Sequence, residues 1–192
     1  MPRSMPMAKL FLSPDCDDEA LFGSYIIMRN KPEVIVLLDG VLHQKKFGID
    51  HRVRQEESRA GCELLGVPVY FAELTDEKPD YNKMIFALRL LGYPDWETKW
   101  DIIFAPALTG GNPNHDMVSK AATELWGDKV IYYGTYTRDN FSPDGEMAIN
   151  PTEEERQLKE KVLQCYKSQI ELNKPHFDAV KDKPEYLSFK PC

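Results

Sequence analysis

Short apolar runs that alternate with longer amphipathic stretches restrict this chain to a small set of folds. The apolar runs predict β-strands at residues 9–13, 33–38, 67–72, 100–104 and 129–133. The stretches that follow them predict helices at residues 18–30, 49–65, 81–91, 116–126 and 151–172. Strands joined through helices run parallel in one sheet. The pattern therefore predicts an α/β, Rossmann-like fold with a mostly parallel sheet and helices on both faces.

Turn and capping residues support these boundaries. The pair Asp39-Gly40 ends the second strand, and Gly66 stands where a left-handed residue would close the second helix. For a chain of 192 residues without internal repeats we expect a single domain over residues 1–192. We expect residues 1–7 to be disordered and the proline-containing residues 175–192 to form a surface tail.

Charge and cysteine usage exclude several classes of function. The formal net charge of −7 argues against general nucleic-acid binding, because phosphate neutralisation needs a basic face. No apolar run approaches the roughly 20 residues that span a bilayer, so no membrane partner is expected. The four cysteines include no Cys-x-x-Cys pair. This argues against a disulfide framework and predicts a cytoplasmic protein. The oligomeric state stays open.

Four carboxylates follow the first strand directly, at Asp15, Asp17, Asp18 and Glu19. In parallel α/β sheets, ligands bind at the carboxyl ends of the strands, where this cluster lies. Like charges this close raise one another's pKa, and a helix N-terminus offsets only about 0.3–1 kcal/mol per charge. A divalent cation would offset more, which makes the cluster a candidate metal site. The alternative is that Asp17 or Asp18 only caps the next helix.

The loop after the fourth strand holds His115 just before a helix. Imidazole and carboxylate together suit zinc or a similar ion, so His115 is a candidate ligand if this loop meets the carboxylate cluster. A structural or solvent-exposed histidine is the alternative. Gly110 and Gly111 in the same loop either let the backbone approach a substrate closely or belong to a simple loop.

In chain order, these motifs resemble the PIG-L/LmbE-like deacetylase family over most of the chain. The family's first strand ends in His-Pro-Asp-Asp-Glu, and its second helix carries Arg-x-x-Glu before Leu-Gly. The matching segments here are Asp15-Cys16-Asp17-Asp18-Glu19, Asp39-Gly40, Arg54-Gln55-Glu56-Glu57 with Leu65-Gly66, Asn112-Pro113-Asn114-His115 and Ser168-Gln169.

The resemblance implies a metal-dependent hydrolase that removes an acetyl or other N-acyl group from an amino sugar or a related small amide. By position, Asp15, Asp18 and His115 would hold one divalent ion, zinc by the family pattern. Asp17 would be the general base that takes a proton from the attacking water. The expected partner is a small N-acetylated molecule.

Two positions depart from the family pattern. Asp15 stands where the family has its first metal-binding histidine, and an Asp/Asp/His set also suits manganese or iron(II). Asn112 stands where many relatives have a second histidine. It can donate a hydrogen bond to an oxyanion, and it is therefore a candidate catalytic residue, but it carries no charge. Cys16 is either a soft ligand or a small buried residue.

Supporting roles are expected for other residues. Arg54 and Glu57 either pair within their helix or, as the resemblance implies, lie near the site and brace the first loop. We expect His176 at the surface. Tyr136 is expected in the core or at its rim, with stacking on a sugar as the alternative.

Two other functions stay open. The first is a non-catalytic sugar- or nucleoside-binding relative, which Asp15 and Asn112 favour. The second is an Asp-x-Asp phosphatase or phosphotransferase using Asp15 and Asp17. Such enzymes need a hydroxyl residue where this chain has Glu19, and a later acidic pair that is absent after the fourth strand.

Overall fold

The structure is a computed structural model that describes residues 7–139 and 143–190. The strands are β1 (Lys9–Ser13), β2 (Glu33–Leu38), β3 (Val69–Leu74), β4 (Ile102–Pro106), β5 (Val130–Tyr133), β6 (Met147–Ile149) and β7 (Glu185–Ser188). The helices are α1 (Asp18–Leu21), α2 (Ser24–Asn30), α3 (Val41–Phe47), α4 (His51–Leu65), α5 (Tyr81–Leu91), α6 (Pro113–Trp126), α7 (Glu153–Leu163), α8 (Lys167–Ile170) and α9 (Lys174–Val180).

The strands form one sheet in the order β3-β2-β1-β4-β5-β7-β6. β1 to β5 are parallel, whereas β7 runs antiparallel to both β5 and β6. Alternate side chains of β1 enter opposite cores. Phe11 packs with residues of α2 and α4, while Leu10 and Leu12 pack with residues of α5 and α6. The predicted α/β fold, with a mostly parallel sheet covered on both faces, is thus confirmed.

The strand order reverses between β1 and β4, because β2 and β3 extend the sheet in one direction and β5 extends it in the other. At such a switch point the loops at the carboxyl ends of the two strands part and leave a crevice, which is where open α/β sheets bind ligands. The two loops singled out in the sequence follow these two strands. No helix within the described ranges is long and apolar enough to cross a membrane.

The predicted surface tail at 175–192 is wrong for the described part of that segment. α9 buries Phe177 and Val180, and β7 lies between β5 and β6 in the sheet. The four residues of β7 are too few, in a proline-containing segment, to predict a strand from sequence. The strand forms because β5 and β6 satisfy its backbone hydrogen bonds. Residues 1–6 of the segment expected to be disordered lie outside the described residues, and Met7 is exposed.

Several helix boundaries also differ from the prediction. The helix expected at 18–30 is divided into α1 and α2 near Gly23, where a Cβ would collide with the Phe11 ring. The helix expected at 151–172 ends at Leu163, and α3 was not predicted. Gly66 is left-handed (φ 69°) and closes α4 as expected.

Candidate active site at the carboxyl ends of β1 and β4

The loops that follow β1 and β4 meet above the switch point and enclose a cavity of about 330 Å³. The two strands are neighbours, with Leu10 beside Ile103, so their carboxyl ends lie side by side. The structure brings together six of the predicted site residues, which line this cavity: Asp15, Asp17, Asp18, Arg54, Asn112 and His115.

Asp15, Asp18 and His115 form a cluster whose ligand-type atoms all lie within 4.8 Å of one another. His115 Nε2 lies 3.1 Å from Asp18 Oδ2 and 3.8 Å from Asp15 Oδ2. Asp18 and His115 are buried, whereas Asp15 is partly exposed. Two carboxylates and one imidazole are donors that zinc, manganese and iron(II) accept. The spacing and chemistry of the cluster therefore fit one divalent ion.

A tight turn after β1 places the carboxylates of Asp15 and Asp18 on the same side of the loop, near His115. The Asp15 carbonyl oxygen accepts a hydrogen bond from the Asp17 N–H at 3.0 Å and lies 2.8 Å from the Ser13 hydroxyl oxygen. The Asp15 N–H donates to Asp18 Oδ2 at 2.9 Å. The Asp18 oxygen nearest His115 is thus fixed by the turn itself.

The cluster concentrates negative charge in a buried place. Burial, together with the Asp18 carboxylate, raises the pKa of Asp15 to about 6. Burial would lower the pKa of His115, but the carboxylates of Asp18 and Asp15 outweigh it and raise that pKa. Burial of Asp15 and the carboxylates around His115 thus both favour a bound proton at this cluster, and a bound cation would balance the same negative charge.

Asp17 lies beside this cluster and is held by Arg54 from α4. Arg54 Nη2 lies 3.6 Å from Asp17 Oδ1 and donates to the Cys16 carbonyl oxygen at 3.3 Å. Burial raises the pKa of Asp17, while the Arg54 guanidinium opposes that rise. Gly40 makes room for the guanidinium, because a Cβ there would lie 2.7 Å from Arg54 Nη1. A buried, oriented carboxylate of this kind is suited to accept a proton from water in the cavity.

Glu19, the fourth carboxylate of the cluster, has its hydrogen bonds in the core. It is fully buried and accepts hydrogen bonds from the hydroxyls of Ser13 at 2.7 Å, Tyr166 at 2.6 Å, and Ser58. These bonds tie β1, α4 and the start of α8 together. The sequence cluster therefore divides into three carboxylates that face the cavity and one that stabilises the fold.

The predicted brace from Glu57 to the first loop is not formed. The Glu57 carboxylate instead accepts hydrogen bonds from the N–H and the hydroxyl of Ser168, at 2.7 and 2.6 Å. Two motifs that the resemblance joined only by their order, Arg-x-x-Glu and Ser-Gln, are thus in direct contact. Arg54 does contact the first loop, so the two residues of that motif act in different places.

The glycine pair 110–111 shapes the second loop. Gly110 is left-handed (φ 68°), and its N–H donates to Asp116 Oδ1 at 3.0 Å. A Cβ on Gly111 would collide with the backbone carbonyl oxygen of Tyr136. The close approach that Gly111 permits is therefore to the chain's own backbone at Tyr136.

We expect Gly111→Ala to destabilise the protein by about 1–3 kcal/mol, because two backbone segments must separate to admit the methyl group. Gly110→Asn is the matched control. A Cβ at position 110 meets nothing within 4 Å of the described residues, and asparagine tolerates left-handed backbone. Urea unfolding of both variants tests this. Equal unfolding free energies for the two would contradict the packing argument.

Two further side chains line the cavity: Tyr136, which was expected in the core or at its rim, and His176, which was expected at the surface. Tyr136, three residues beyond the end of β5, lines the cavity, and its ring centroid lies 5.5 Å from that of His115. The prediction that His176 is at the surface is wrong. The residue is half-buried in the cavity wall, with its ring 4.5 Å from the Tyr136 ring. Tyr136 sits at the same sheet edge as the two loops, a signal that could have identified it, whereas α9 reaches the site only through the tertiary fold.

Burial affects the ionisation of both side chains. It raises the pKa of Tyr136, and the negative charge of Asp18 raises this pKa further, so the phenol stays protonated at neutral pH. It lowers the pKa of His176, so this imidazole is neutral there. The part of the cavity wall that Tyr136 and His176 form is therefore polar and uncharged.

The sequence matches the model of one protein family, described as PIG-L: GlcNAc-PI de-N-acetylase, over residues 10–126. This range is more than half of the chain and includes all six cavity-lining residues that were predicted. No curated protein matches the sequence.

Several solved structures share the fold. One is a deacetylase triple mutant (Orf2*T) of the teicoplanin biosynthetic pathway, with a TM-score of 0.74, 16% identity, and coverage of 91% of this chain and 88% of that one. Another is GalB, the 4-carboxy-2-hydroxymuconate hydratase from Pseudomonas putida KT2440 (TM-score 0.71, 16% identity, 94% and 95% covered). A third is N,N'-diacetylchitobiose deacetylase from Pyrococcus horikoshii (TM-score 0.66, 15% identity, 96% and 84% covered). Because a hydratase and deacetylases share this fold, the chemistry has to be argued from the site.

Proposed function

Because the chain belongs to the PIG-L family of GlcNAc-PI de-N-acetylases, we propose that it is a metal-dependent hydrolase that removes an acetyl or other N-acyl group from an amino sugar or a related small amide. The observation that carries the proposal is the convergence of Asp15, Asp18 and His115 within 4.8 Å, with Asp17 in the same cavity. A base beside a cation site is one arrangement that activates water for attack on an amide.

Each side chain has a distinct part in this mechanism. Asp15, Asp18 and His115 would hold the ion, which when bound acts as a Lewis acid toward water and the amide carbonyl. Zinc is the expected metal, and manganese or iron(II) also suits the Asp/Asp/His donors. Asp17 accepts a proton from the attacking water and passes it to the leaving amine. Arg54 keeps the Asp17 carboxylate oriented.

The residues at the mouth of the cavity suit a small substrate that has both polar and apolar faces. Leu42 and Phe47 of α3 line it while remaining 50% and 42% exposed. The carboxylate of Asp76 and the side chain of Asn173 line the same cavity. A sugar ring offers an apolar face to the first pair and hydroxyl groups to the second.

The test is to measure bound metal and the metal-dependent release of acetate from a panel of N-acetylated amino sugars and nucleosides. We expect one tightly held ion per chain and acetate release from at least one compound. Failure to hold any ion under zinc, manganese or iron(II) loading would overturn the mechanism.

We further expect Asp18→Ala and His115→Ala to lower metal affinity by at least about 10²-fold, since even residues that only support metal ligands contribute 10- to 100-fold. His51→Ala is the matched control, because His51 lies on α4 and pairs with Asp50 rather than lining the cavity. Metal content after dialysis against a chelator is the measurement. Equal retention by all three variants would show that the ion lies elsewhere.

A sugar- or nucleoside-binding protein without turnover is the second candidate. It is favoured by the two positions, Asp15 and Asn112, where the family pattern has histidine. In that case the same panel would show binding of an N-acetylated compound to the metal-loaded protein without acetate release.

A further inference from the structure

We propose that Tyr136 donates the hydrogen bond that stabilises the amide oxygen as it gains negative charge, and that Asn112 sets the direction of the Tyr136 hydroxyl. The inference rests on the proposed hydrolysis and adds a catalytic residue to it. It also assigns Asn112 a role different from direct contact with the oxyanion.

The orientation of the Asn112 amide is fixed by the backbone of α6. Asn112 caps this helix, and its Oδ1 accepts a hydrogen bond from the Asn114 N–H at 2.9 Å. A backbone N–H can only donate, so the atom facing Asn114 must be the oxygen. The amide nitrogen therefore faces Tyr136, and Asn112 Nδ2 donates to Tyr136 Oη at 3.1 Å.

The fixed Asn112 donor determines the direction in which the Tyr136 hydroxyl can donate a hydrogen bond. Because Asn112 presents hydrogens to Tyr136 Oη, the hydroxyl has to accept there and cannot donate in that direction. Within the described residues, the bond from Asn112 is the one hydrogen bond found at Tyr136 Oη. The O–H remains available to donate into the cavity that Asp15, Asp18 and His115 line.

The Tyr136 side chain is also held in place by its surroundings. The Thr109 hydroxyl donates to the Tyr136 carbonyl oxygen at 2.9 Å, and Gly111 packs against the same carbonyl. The ring packs beside those of His115 and His176, with centroid distances of 5.5 and 4.5 Å. A donor that is already oriented loses little freedom when a reacting oxygen arrives, and this preorganisation makes such donors effective.

The chemical step balances without proton transfer from tyrosine. As the water oxygen bonds to the amide carbon, Asp17 takes the proton and the carbonyl π pair moves to the oxygen. The Tyr136 O–H donates to that oxygen and keeps its proton. When the C–N bond breaks, the pair returns to re-form the carbonyl, and Asp17 gives its proton to the amine nitrogen.

Three variants test the assignment. Tyr136→Phe removes the donor. Asn112→Asp keeps an oxygen to cap α6 but replaces the amide N–H groups with an acceptor, so the Tyr136 hydroxyl would turn toward residue 112 and away from the substrate. Asn112→Ser keeps a capping oxygen and removes the amide donor without forcing that turn. Tyr93→Phe is the control, because Tyr93 is 78% exposed outside the cavity.

For the substrate that the wild type deacetylates, we expect Tyr136→Phe and Asn112→Asp each to lower kcat by about 10²-fold with little change in KM. The double variant should lose no more than either single variant, because both changes remove the same hydrogen bond. Asn112→Ser should lose less, and metal content should stay at the wild-type level in all of them.

A binding measurement separates this inference from the proposed function. Methylphosphonate is a tetrahedral anion that mimics an acetyl group under attack. Its affinity for the zinc-loaded protein, measured by calorimetry, should fall roughly tenfold or more in Tyr136→Phe and Asn112→Asp and stay unchanged in Tyr93→Phe. If the wild type releases no acetate yet shows this pattern, the proposed function fails, while the hydrogen bond that Tyr136 donates to a tetrahedral anion, directed by Asn112, stands. If acetate is released while Tyr136→Phe matches the wild type in both kcat and methylphosphonate affinity, the function stands and this inference is overturned.

Discussion

Replacing Asp17 by asparagine is expected to lower the rate of acetate release by about 10²–10⁴-fold while the protein keeps its metal. Asparagine has the shape of aspartate but cannot accept a proton from water. The Asp17 side chain makes no capping hydrogen bond to α1, so the helix start does not depend on its charge. The three ligand-type side chains are untouched by the substitution.

Two measurements make this result interpretable. Metal content, measured alongside kcat, separates loss of the base from loss of the ion. Urea unfolding measures the loss in unfolding free energy. Such a loss is expected because Arg54 is 4% exposed and, in the variant, lacks the charge nearest to its guanidinium. Asp128→Asn is the matched control, since this carboxylate is exposed in the turn after α6. Full activity of Asp17→Asn would remove Asp17 from the mechanism.

The second large effect is expected in stability, from Lys159→Met. Lys159 is fully buried, and its Nζ donates to Glu185 Oε1 at 2.7 Å and to the Leu21 carbonyl oxygen at 2.9 Å. Glu185 Oε2 in turn accepts hydrogen bonds from the N–H groups of Tyr25 and Ile26. Methionine fills a similar volume but leaves Glu185 buried without its cation. Breaking a buried pair in this way costs about 3–5 kcal/mol.

Lys161→Met is the matched control, because Lys161 lies on the same helix two residues further on and is exposed. Its unfolding free energy should stay within about 0.5 kcal/mol of the wild type. Adding Glu185→Gln to Lys159→Met should recover part of the loss, because it removes the unpaired charge. Urea unfolding of all the variants is the measurement. A loss below about 1 kcal/mol for Lys159→Met would show that the pair adds little to stability.

Local sequence patterns predicted much of the secondary structure. Each of the five predicted strands is present, and 9–13 and 33–38 agree with β1 and β2 at both ends. These segments are read correctly because a buried parallel strand needs a continuous apolar run, and such a run is visible in the sequence alone. The carboxylates after β1 and His115 after β4 were placed at one edge for a related reason. Parallel strands all end at the same edge of their sheet.

Contacts between distant segments could not be read in this way. β7 has only four residues and exists because β5 and β6 pair with it. The buried Glu185 of β7 finds its cation, Lys159, on the distant helix α7. Glu57 was assigned to the first loop, yet its partner is Ser168, 111 positions along the chain.

The sequence by itself determined the alternation of strands and helices and the identities of the carboxylates and the histidine at the candidate site, because these follow from local hydrophobicity and residue chemistry. Only the tertiary structure decided that Glu19 turns into the core, that Asp17 meets Arg54, and that Asn112 donates to Tyr136. Those outcomes depend on which side chains from separate elements meet once the apolar faces are buried. Burial then fixes which polar atoms must find partners.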